Sequence, residues 1–248
     1  MSQYDDVRAA LAPTGVLRVT INVGNPTLAN LPAGATRPKG VSVDIATMLA
    51  ERLGLELELV VFDAAGKAVT AVTANEADMG FFAQDPTRGE GIAFTAPYML
   101  IEGGYLVRDD SPIQTLDEVD RPEHRIAVGK GSAYDLFLSR TIERATLQRS
   151  PTSPTVVAYF MEHELEVAAG VKQQLEAGLE EFPGLRMLPG HFMTIKQAMG
   201  VPQDRPAAAR AFLDDFIVEL KQAGTLETLF DAHGIEGVTI APLREDEP

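Results

Sequence analysis

The sequence predicts an α/β protein made of two units, with the second unit inserted into the first. Three observations lead to this prediction. Apolar runs alternate with stretches of helical periodicity from residue 16 to 82, as in parallel strands joined by crossover helices. A new strand starts at 125–128, after a polar stretch with two prolines. Extended chain returns at 192–201 and leads into two further helices.

The elements of the first unit follow from apolar spacing and from glycine stops. They are, in order, a strand at 16–21, a helix that Ser42 precedes and Gly54 ends, a strand at 55–61, a helix at 65–74 and a buried strand at 77–82. The second part of the chain gives a strand at 104–108, a strand at 125–128, a helix at 133–146, a strand and two helical stretches within 150–182, extended chain at 192–201, and helices at 206–222 and 225–232. We therefore expect lobe 1 at 1–104 plus 197–248 and lobe 2 at 105–196.

Composition excludes several classes of protein. The 248 residues include 36 acids and 21 bases, for a formal net charge of -15, and a field of that sign repels nucleic acid and anionic membranes. The chain has no cysteine, which excludes disulfides and thiolate metal sites. No apolar window is long enough for a membrane span. We expect a monomer with no nucleic-acid partner and no membrane insertion.

The acidic N-terminus at 1–6 lacks the basic and apolar segments of a secretory signal. As written, the sequence places the protein in the cytoplasm, and removal of an export segment would place it in the periplasm instead.

Metal and nucleotide sites are not predicted. The four histidines are far apart in the sequence and lack ligand spacing. Gly129-Lys130-Gly131-Ser132 resembles a fragment of a phosphate loop, but that motif requires Gly-Lys-Ser/Thr in succession, and Gly131 separates Lys130 from Ser132. We expect neither a metal nor a cofactor.

A first candidate anion site is the helix that starts at Gly131-Ser132, directly after a predicted strand. Amide hydrogens at a helix start bind anions, and a glycine permits close approach. Ser132 and Asp135 have the spacing of a helix N-cap and its acidic partner. The alternative is that Ser132 only caps its helix.

A second candidate is Arg88, which follows the buried strand ending near Phe82. Ligands of open α/β sheets bind beyond the carboxyl ends of the strands, and a guanidinium binds a carboxylate with two parallel hydrogen bonds. The alternative is an exposed salt bridge to Asp85, which would contribute little.

Several motifs, taken together and in order, resemble the family 3 bacterial extracellular solute-binding proteins, the amino-acid-binding components of ABC importers. These motifs are Gly40-Val41-Ser42-Val43-Asp44-Ile45-Ala46, Ala50-Glu51-Arg52-Leu53-Gly54, Ala77-Asp78-Met79-Gly80, Thr87-Arg88, Phe94-Thr95-Ala96-Pro97-Tyr98, Gly131-Ser132, Pro183-Gly184-Leu185 and Lys221-Gln222-Ala223-Gly224-Thr225-Leu226. The resemblance covers nearly the whole chain.

The resemblance implies a periplasmic-binding-protein-like fold of type II, with two lobes joined by two hinge crossovers that close on a small ligand in the cleft between them. It implies that Arg88 and the helix start at Gly131-Ser132 clasp a ligand carboxylate. Further contacts are expected from the first lobe, through the backbone around Phe81, Phe82 and Ala83, through Asp85 and through the loop near Asn25, and from the second lobe at Lys172 and Gln173. An ABC permease is the partner protein that the resemblance implies.

The second lobe departs from the family pattern at one informative position. The aspartate that holds the ligand's ammonium in amino-acid binders aligns with Val171, and Lys172 stands beside it. Because valine cannot bind an ammonium and a lysine facing the cleft would repel one, we expect a small carboxylate without a free α-amino group. Asp85, if it turned inward, would restore an amino acid as ligand, and Lys172 as a surface residue would remove the repulsion.

Three functions are consistent with these patterns. The leading one is a solute-binding protein that breaks no bond. The second is an enzyme resembling cyclohexadienyl or arogenate dehydratases on the same scaffold, for which Asp85, Glu164 and Glu166 are candidate general acids. The third is an orphan cytoplasmic ligand sensor.

Overall fold

A computed structural model describes residues 4–243. The chain forms two compact units. Unit 1 combines the residues up to 100 with those from 196 onward, and unit 2 comprises residues 101–195. That these units are the two lobes of a hinged binding protein remains a prediction.

The described residues contain nine α-helices and ten strands. The helices are α1 (Asp5–Leu11), α2 (Val41–Leu53), α3 (Ala65–Thr73), α4 (Pro86–Gly89), α5 (Ala133–Thr141), α6 (Val156–Glu162), α7 (Lys172–Glu181), α8 (Ala207–Gln222) and α9 (Thr225–Ala232). The strands are β1 (Val16–Asn22), β2 (Glu56–Phe62), β3 (Met79–Ala83), β4 (Ile92–Arg108), β5 (Arg125–Gly129), β6 (Thr146–Ser150), β7 (Val167–Val171), β8 (Leu185–Met187), β9 (Met193–Pro202) and β10 (Val238–Ile240). The chain passes from one unit to the other within β4 and within β9.

The sheet of unit 1 has a parallel part with β1 at its centre. β1 pairs with β2 on one side and β3 on the other, so that Val19 lies opposite both Leu59 and Met79. β3 pairs antiparallel with β9. All five residues of β3 are buried, as expected for a strand covered on both faces.

Helix α2 begins earlier than its sequence pattern suggested. Gly40, not Ser42, is the N-cap, and Ser42 lies buried inside the helix. Gly40 adopts φ +136°, and a Cβ there would lie 2.5 Å from the carbonyl oxygen of Leu28. The tight turn that only glycine allows therefore sets the helix start. Gly54 ends the helix in the left-handed conformation, as predicted.

The sheet of unit 2 has β5 at the centre of its parallel part, with β6 and β7 on either side. β4 pairs antiparallel with β7, Gly103 lying opposite Val171. Apolar side chains from β4, β5, β7 and the helices α6 and α7 form its core, including Leu106, Ala127, Phe160, Leu165, Ala168 and Leu175.

The prediction of one helix over 133–146 was wrong at its end. Helix α5 stops at Thr141 and β6 begins at Thr146. The carboxylate of Asp120 accepts backbone hydrogen bonds from Glu143, Arg144 and Ala145 at 2.7 to 3.0 Å. Because these amides bind a carboxylate, they do not take part in helical hydrogen bonds. The spacing of apolar residues could not predict this, since Asp120 lies more than twenty positions earlier in the chain.

Parallel pairing brings the ends of different strands to common edges. In unit 1, β1 and β3 run in the same direction, so the segments after Asn22 and Ala83 lie at one edge, which we call the unit 1 edge. In unit 2, the segments after Gly129 and Val171 lie likewise at one edge, the unit 2 edge. These are the places where an open α/β sheet binds ligands.

Candidate functional site

Arg88 lies at the unit 1 edge, in the short helix α4 directly after β3. Asp85 caps this helix, its Oδ1 accepting the Thr87 amide at 2.8 Å, and Pro86 fits the first helical position. The Arg88 Nη1 donates to the carbonyl oxygen of Ala83 at 3.2 Å. The guanidinium is thereby tied to the strand end that precedes it.

The environment of Arg88 is that of a buried cation. Arg88 is 5% and Asp85 is 8% exposed, so the alternative of an exposed salt bridge between them is wrong. Burial lowers the pKa of Arg88 to about 10, although the nearby charge of Asp85 acts to raise it. The side chain remains a cation at neutral pH, in surroundings that disfavour its charge.

The two aromatic residues predicted for the site, Phe81 and Phe82, have side chains that pack in the interior of unit 1. Phe82 packs in a core cluster with Val72 and Ile92. Phe81 makes an edge-to-face contact with Tyr98, with 6.2 Å between ring centroids. Any contact of these residues with a ligand would thus come from their backbone, as the sequence resemblance implies.

Asn25 follows β1 at the unit 1 edge. Its carbonyl oxygen accepts the amides of Leu28 and Ala29 at 2.9 and 3.1 Å, forming a turn. Its side-chain Oδ1 is buried and has no hydrogen-bond partner among residues 4–243. An acceptor left without a donor costs free energy, so this atom is suited to receive a hydrogen bond from a bound molecule.

At the unit 2 edge, the predicted cap of α5 is present. The Ser132 Oγ accepts the Asp135 amide at 3.0 Å. The carboxylate of Asp135 accepts the Gly131 amide at 2.9 Å and also binds Arg149. Gly131 adopts φ +71°, which brings its amide back toward Asp135. A serine hydroxyl that accepts one bond can still donate its hydrogen, so capping and ligand binding by Ser132 are compatible.

Lys172 and Gln173 open helix α7 at the same edge. Val171 precedes them without a side-chain cap. The Lys172 Nζ donates to Glu102 Oε2 at 3.0 Å, and both side chains are about half exposed. The hydrogen bond to Glu102 raises the pKa of Lys172. Glu102 comes from β4, seventy positions earlier in the chain, and the sequence pattern did not identify it.

Of the candidate general acids, Asp85 lies at the unit 1 edge as the cap of α4, whereas Glu166 lies away from the unit 2 edge. Glu166 forms a two-point ion pair with Arg125, at 2.8 and 3.0 Å, and also accepts the Arg125 amide at 2.8 Å. This pairing lowers the pKa of Glu166, whereas a general acid must hold its proton near neutral pH. Both residues lie where β5 and β7 begin, at the end of the strands opposite to the unit 2 edge.

Within residues 4–243, no three histidine, aspartate or glutamate side chains come together in a way that could hold a metal ion. None of the helices in that range combines the length and apolar character needed to cross a bilayer.

Comparisons with known proteins agree with this architecture. The sequence profile of the bacterial extracellular solute-binding proteins, family 3, matches residues 17–235. No curated protein sequence matches the chain.

Solved structures with the same fold include three of differing roles. A solute receptor for L-cysteine of Neisseria gonorrhoeae has a TM-score of 0.80 at 22% identity, covering 94% of this chain and 99% of the receptor. The P235GK mutant of ArgBP from T. maritima has a TM-score of 0.78 at 19% identity, covering 93% and 100%. A histidine kinase sensor domain with similarity to periplasmic binding proteins has a TM-score of 0.78 at 17% identity, covering 91% and 98%. The predicted periplasmic-binding-protein-like fold is confirmed.

Proposed function

The chain belongs to the family 3 bacterial extracellular solute-binding proteins, and from that premise we propose that it is a non-catalytic protein that captures a small ligand by its carboxylate. The ligand carboxylate binds Arg88 at the unit 1 edge. Delivery of the ligand to an ABC permease is part of the proposal. One protein with the same fold is a sensor domain. Transport and sensing both begin with capture of a ligand, so capture is the central element of the proposal.

The observation that carries the proposal is the burial of Arg88 at the unit 1 edge. A guanidinium that is 5% exposed has lost most of its hydration, and this burial lowers its pKa to about 10 although the charge of Asp85 acts to raise it. A ligand carboxylate would stabilise the charge of this buried guanidinium through a two-point ion pair. The position after a buried strand is where such ligands bind in open α/β sheets.

A second group at the unit 1 edge supports a ligand of mixed polarity. Asn25 Oδ1 is a buried acceptor at the same edge as Arg88, suited to an N–H or O–H of the ligand. A small molecule with a carboxylate and at least one donor group fits these residues.

Catalysis lacks support in this arrangement. Glu166 is ionised and paired at the opposite end of its strands, and Asp85 is engaged in capping α4. Binding and release, without chemical change, is the function that we propose.

The test begins with native mass spectrometry of the freshly purified full chain, to detect a small molecule that copurifies. Calorimetric titration of that molecule then compares the unaltered chain with Arg88→Ala. We expect Arg88→Ala to weaken binding by about 2–5 kcal/mol, as when one side of a buried charge pair is removed. Arg88→Lys keeps the charge but loses the planar fork, so its affinity should fall between the two.

The control is Arg210→Ala, which removes an exposed arginine of α8 in the same unit and should leave affinity unchanged. Circular dichroism shows whether each variant is folded. Affinity of a folded Arg88→Ala chain equal to that of the unaltered chain would refute the role of Arg88. Chemical conversion of the bound molecule during incubation would refute a non-catalytic function.

A further inference from the structure

Asp85 is a buried carboxylate that has no part in the function proposed above. It lies between the end of β3 and the start of α4, at the unit 1 edge, and it is buried like Arg88 three residues later. A carboxylate taken out of water loses the hydration of its charge, so its burial requires interactions that offset this loss. The groups around Asp85 therefore indicate what its charge does.

The helix cap that Asp85 forms does not itself require a charge. Its Oδ1 accepts the Thr87 amide at 2.8 Å, and its carbonyl oxygen accepts the Gly89 amide at 2.9 Å. Asparagine and serine cap helices about as well as aspartate does, and either would avoid the cost of burying a charge. Capping alone thus does not explain why an acid stands at this position.

The charge of Asp85 acts on Arg88. The nearby carboxylate raises the pKa of the Arg88 guanidinium, against the larger effect of burial, which lowers it. The same guanidinium donates from Nη1 to the carbonyl oxygen of Ala83 at 3.2 Å. Arg88 therefore interacts with a neutral acceptor at the end of the strand and with an anion at the start of the helix.

A ligand carboxylate at Arg88 would meet a second negative charge. Because Asp85 and the ligand would interact with the same guanidinium, their carboxylates would lie near each other and repel. Asp85 should therefore lower the affinity of the site for an anion. In the ligand-free chain, by contrast, the same charge offsets that of a buried arginine and stabilises unit 1.

We propose that Asp85 is an internal counter-ion of Arg88, which stabilises the ligand-free site and limits its affinity for a carboxylate, so that a captured ligand can be released. The inference rests on the proposed function, because it concerns the affinity of the site at Arg88. It requires no group from unit 2, since both residues belong to unit 1. This role differs from that of an ammonium acceptor, which the sequence left open for Asp85.

The first experiment measures the coupling of the two charges without a ligand. Thermal unfolding is followed for the unaltered chain, Asp85→Asn, Arg88→Met and the double variant. Asparagine keeps an oxygen that can accept the Thr87 amide, so Asp85→Asn removes the charge and retains the cap. Its melting temperature should fall by about 5–10 °C, because a buried cation loses its anion. The double variant should lose less than the sum of the two single losses.

The matched control is Glu90→Gln. Glu90 is an exposed acid at the C-terminal end of the same helix, so this variant makes the same change of charge two residues from Arg88 without removing a buried anion. Its melting temperature should stay close to that of the unaltered chain. Strictly additive losses in the double variant, or equal losses in Glu90→Gln and Asp85→Asn, would overturn the inference.

The second experiment measures affinity by calorimetric titration. The probes are L-leucine, L-glutamate and L-phenylalanine, together with 4-methylpentanoate, glutarate and 3-phenylpropanoate, which are the same acids without the amino group. For the probe that binds most tightly, Asp85→Asn should raise the affinity about tenfold or more, because the repulsion between two carboxylates is gone. A residue with only a structural role would lower stability without raising affinity. Glu90→Gln should leave the affinity unchanged.

A bound carboxylate should also replace the anion that the variant lacks. At saturating concentrations of the same probe, the melting temperatures of Asp85→Asn and the unaltered chain should therefore approach each other. A difference between them that stays as large as without the probe would contradict the exchange of one anion for another.

Two results of the titration would overturn the inference while leaving the proposed function intact. Equal or lower affinity of Asp85→Asn for both members of a pair would make Asp85 a structural residue. Lower affinity for the amino acid alone would make it an ammonium acceptor. Binding that survives Arg88→Ala, or no binding of any carboxylate probe, would instead refute the proposed function, and the limit on affinity with it.

Discussion

Asp78 is the point at which the stability of unit 1 should be most sensitive to a single charge. Its side chain is fully buried. Its Oδ2 accepts the amide and the Nε of Arg18 at 2.9 and 3.1 Å, and its Oδ1 accepts from Arg18 Nη2 at 2.9 Å and from Arg205 Nη2 at 2.8 Å. One carboxylate thus joins the start of β1 and the loop before α8 to the start of β3.

Replacing Asp78 by Asn keeps the shape of the side chain but leaves two guanidiniums without their anion. The side chain of Arg205 is only 9% exposed, so water cannot replace the lost partner. Removing one side of a buried ion pair costs about 3–5 kcal/mol. At about 3 °C per kcal/mol for a chain of this size, the melting temperature should fall by about 10 °C.

Differential scanning calorimetry of Asp78→Asn, Arg205→Met and the double variant measures this coupling. In the double variant the unpaired cation of Arg205 is gone, so its loss of stability should be smaller than the sum of the two single losses. Asp63→Asn serves as control, because Asp63 pairs with Lys67 on the surface, with side chains 59% and 61% exposed, and should leave the melting temperature nearly unchanged. A drop for Asp78→Asn no larger than that of Asp63→Asn, or strictly additive losses, would refute the argument.

The remaining predictions concern pH and backbone conformation. Arg125 lowers the pKa of Glu166 below its ordinary value of 4.5, so the stabilisation is fully present above that value and is lost as the pH falls through the lower, folded-state pKa. Urea unfolding of unit 2 followed against pH should therefore show a smaller acid-induced loss of stability in Glu166→Gln than in the unaltered chain, and equal slopes would contradict this. Gly40→Ala should lower the melting temperature strongly, because its Cβ would lie 2.5 Å from the Leu28 carbonyl oxygen. Gly34 is also at positive φ, but an added Cβ would meet no atom within 4 Å. Gly34→Ala should therefore lower stability by about 1 kcal/mol, the cost of the left-handed conformation alone. An equal loss of stability in both variants would show that the close contact at Gly40 is not decisive.

Several helices and strands were predictable because their own residues contain the signal, whereas only residues 104–108 of the longest strand, β4, were predicted. Helices α8 and α9 begin and end within one residue of the ranges predicted from apolar spacing, and the bounds of β1 and β2 are similarly close. Burying one face of a helix or both faces of a strand imposes a period on the local sequence. The short elements α1, α4, β8 and β10 were not predicted, because so few residues show no period.

The candidate site divides in the same way. Arg88 and Ser132 were identified from local patterns, a strand end and a helix cap, and the structure places each at a carboxyl edge of its unit's sheet. Whether they bind a ligand stays a prediction. Glu102 could not be identified, because its relation to Lys172 depends on the pairing of β4 with β7.

The sequence alone therefore determined the α/β class, the family resemblance and the residues whose role follows from their immediate neighbours. Only the tertiary structure decided where α5 ends, since Asp120 binds the amides of Arg144 and Ala145, which follow the helix. It likewise decided that Arg88 is buried and that Lys172 is paired with Glu102. The physical reason is that hydrophobic periodicity is a property of consecutive residues, whereas burial, desolvation and the pairing of charges depend on groups that the chain brings together from distant positions.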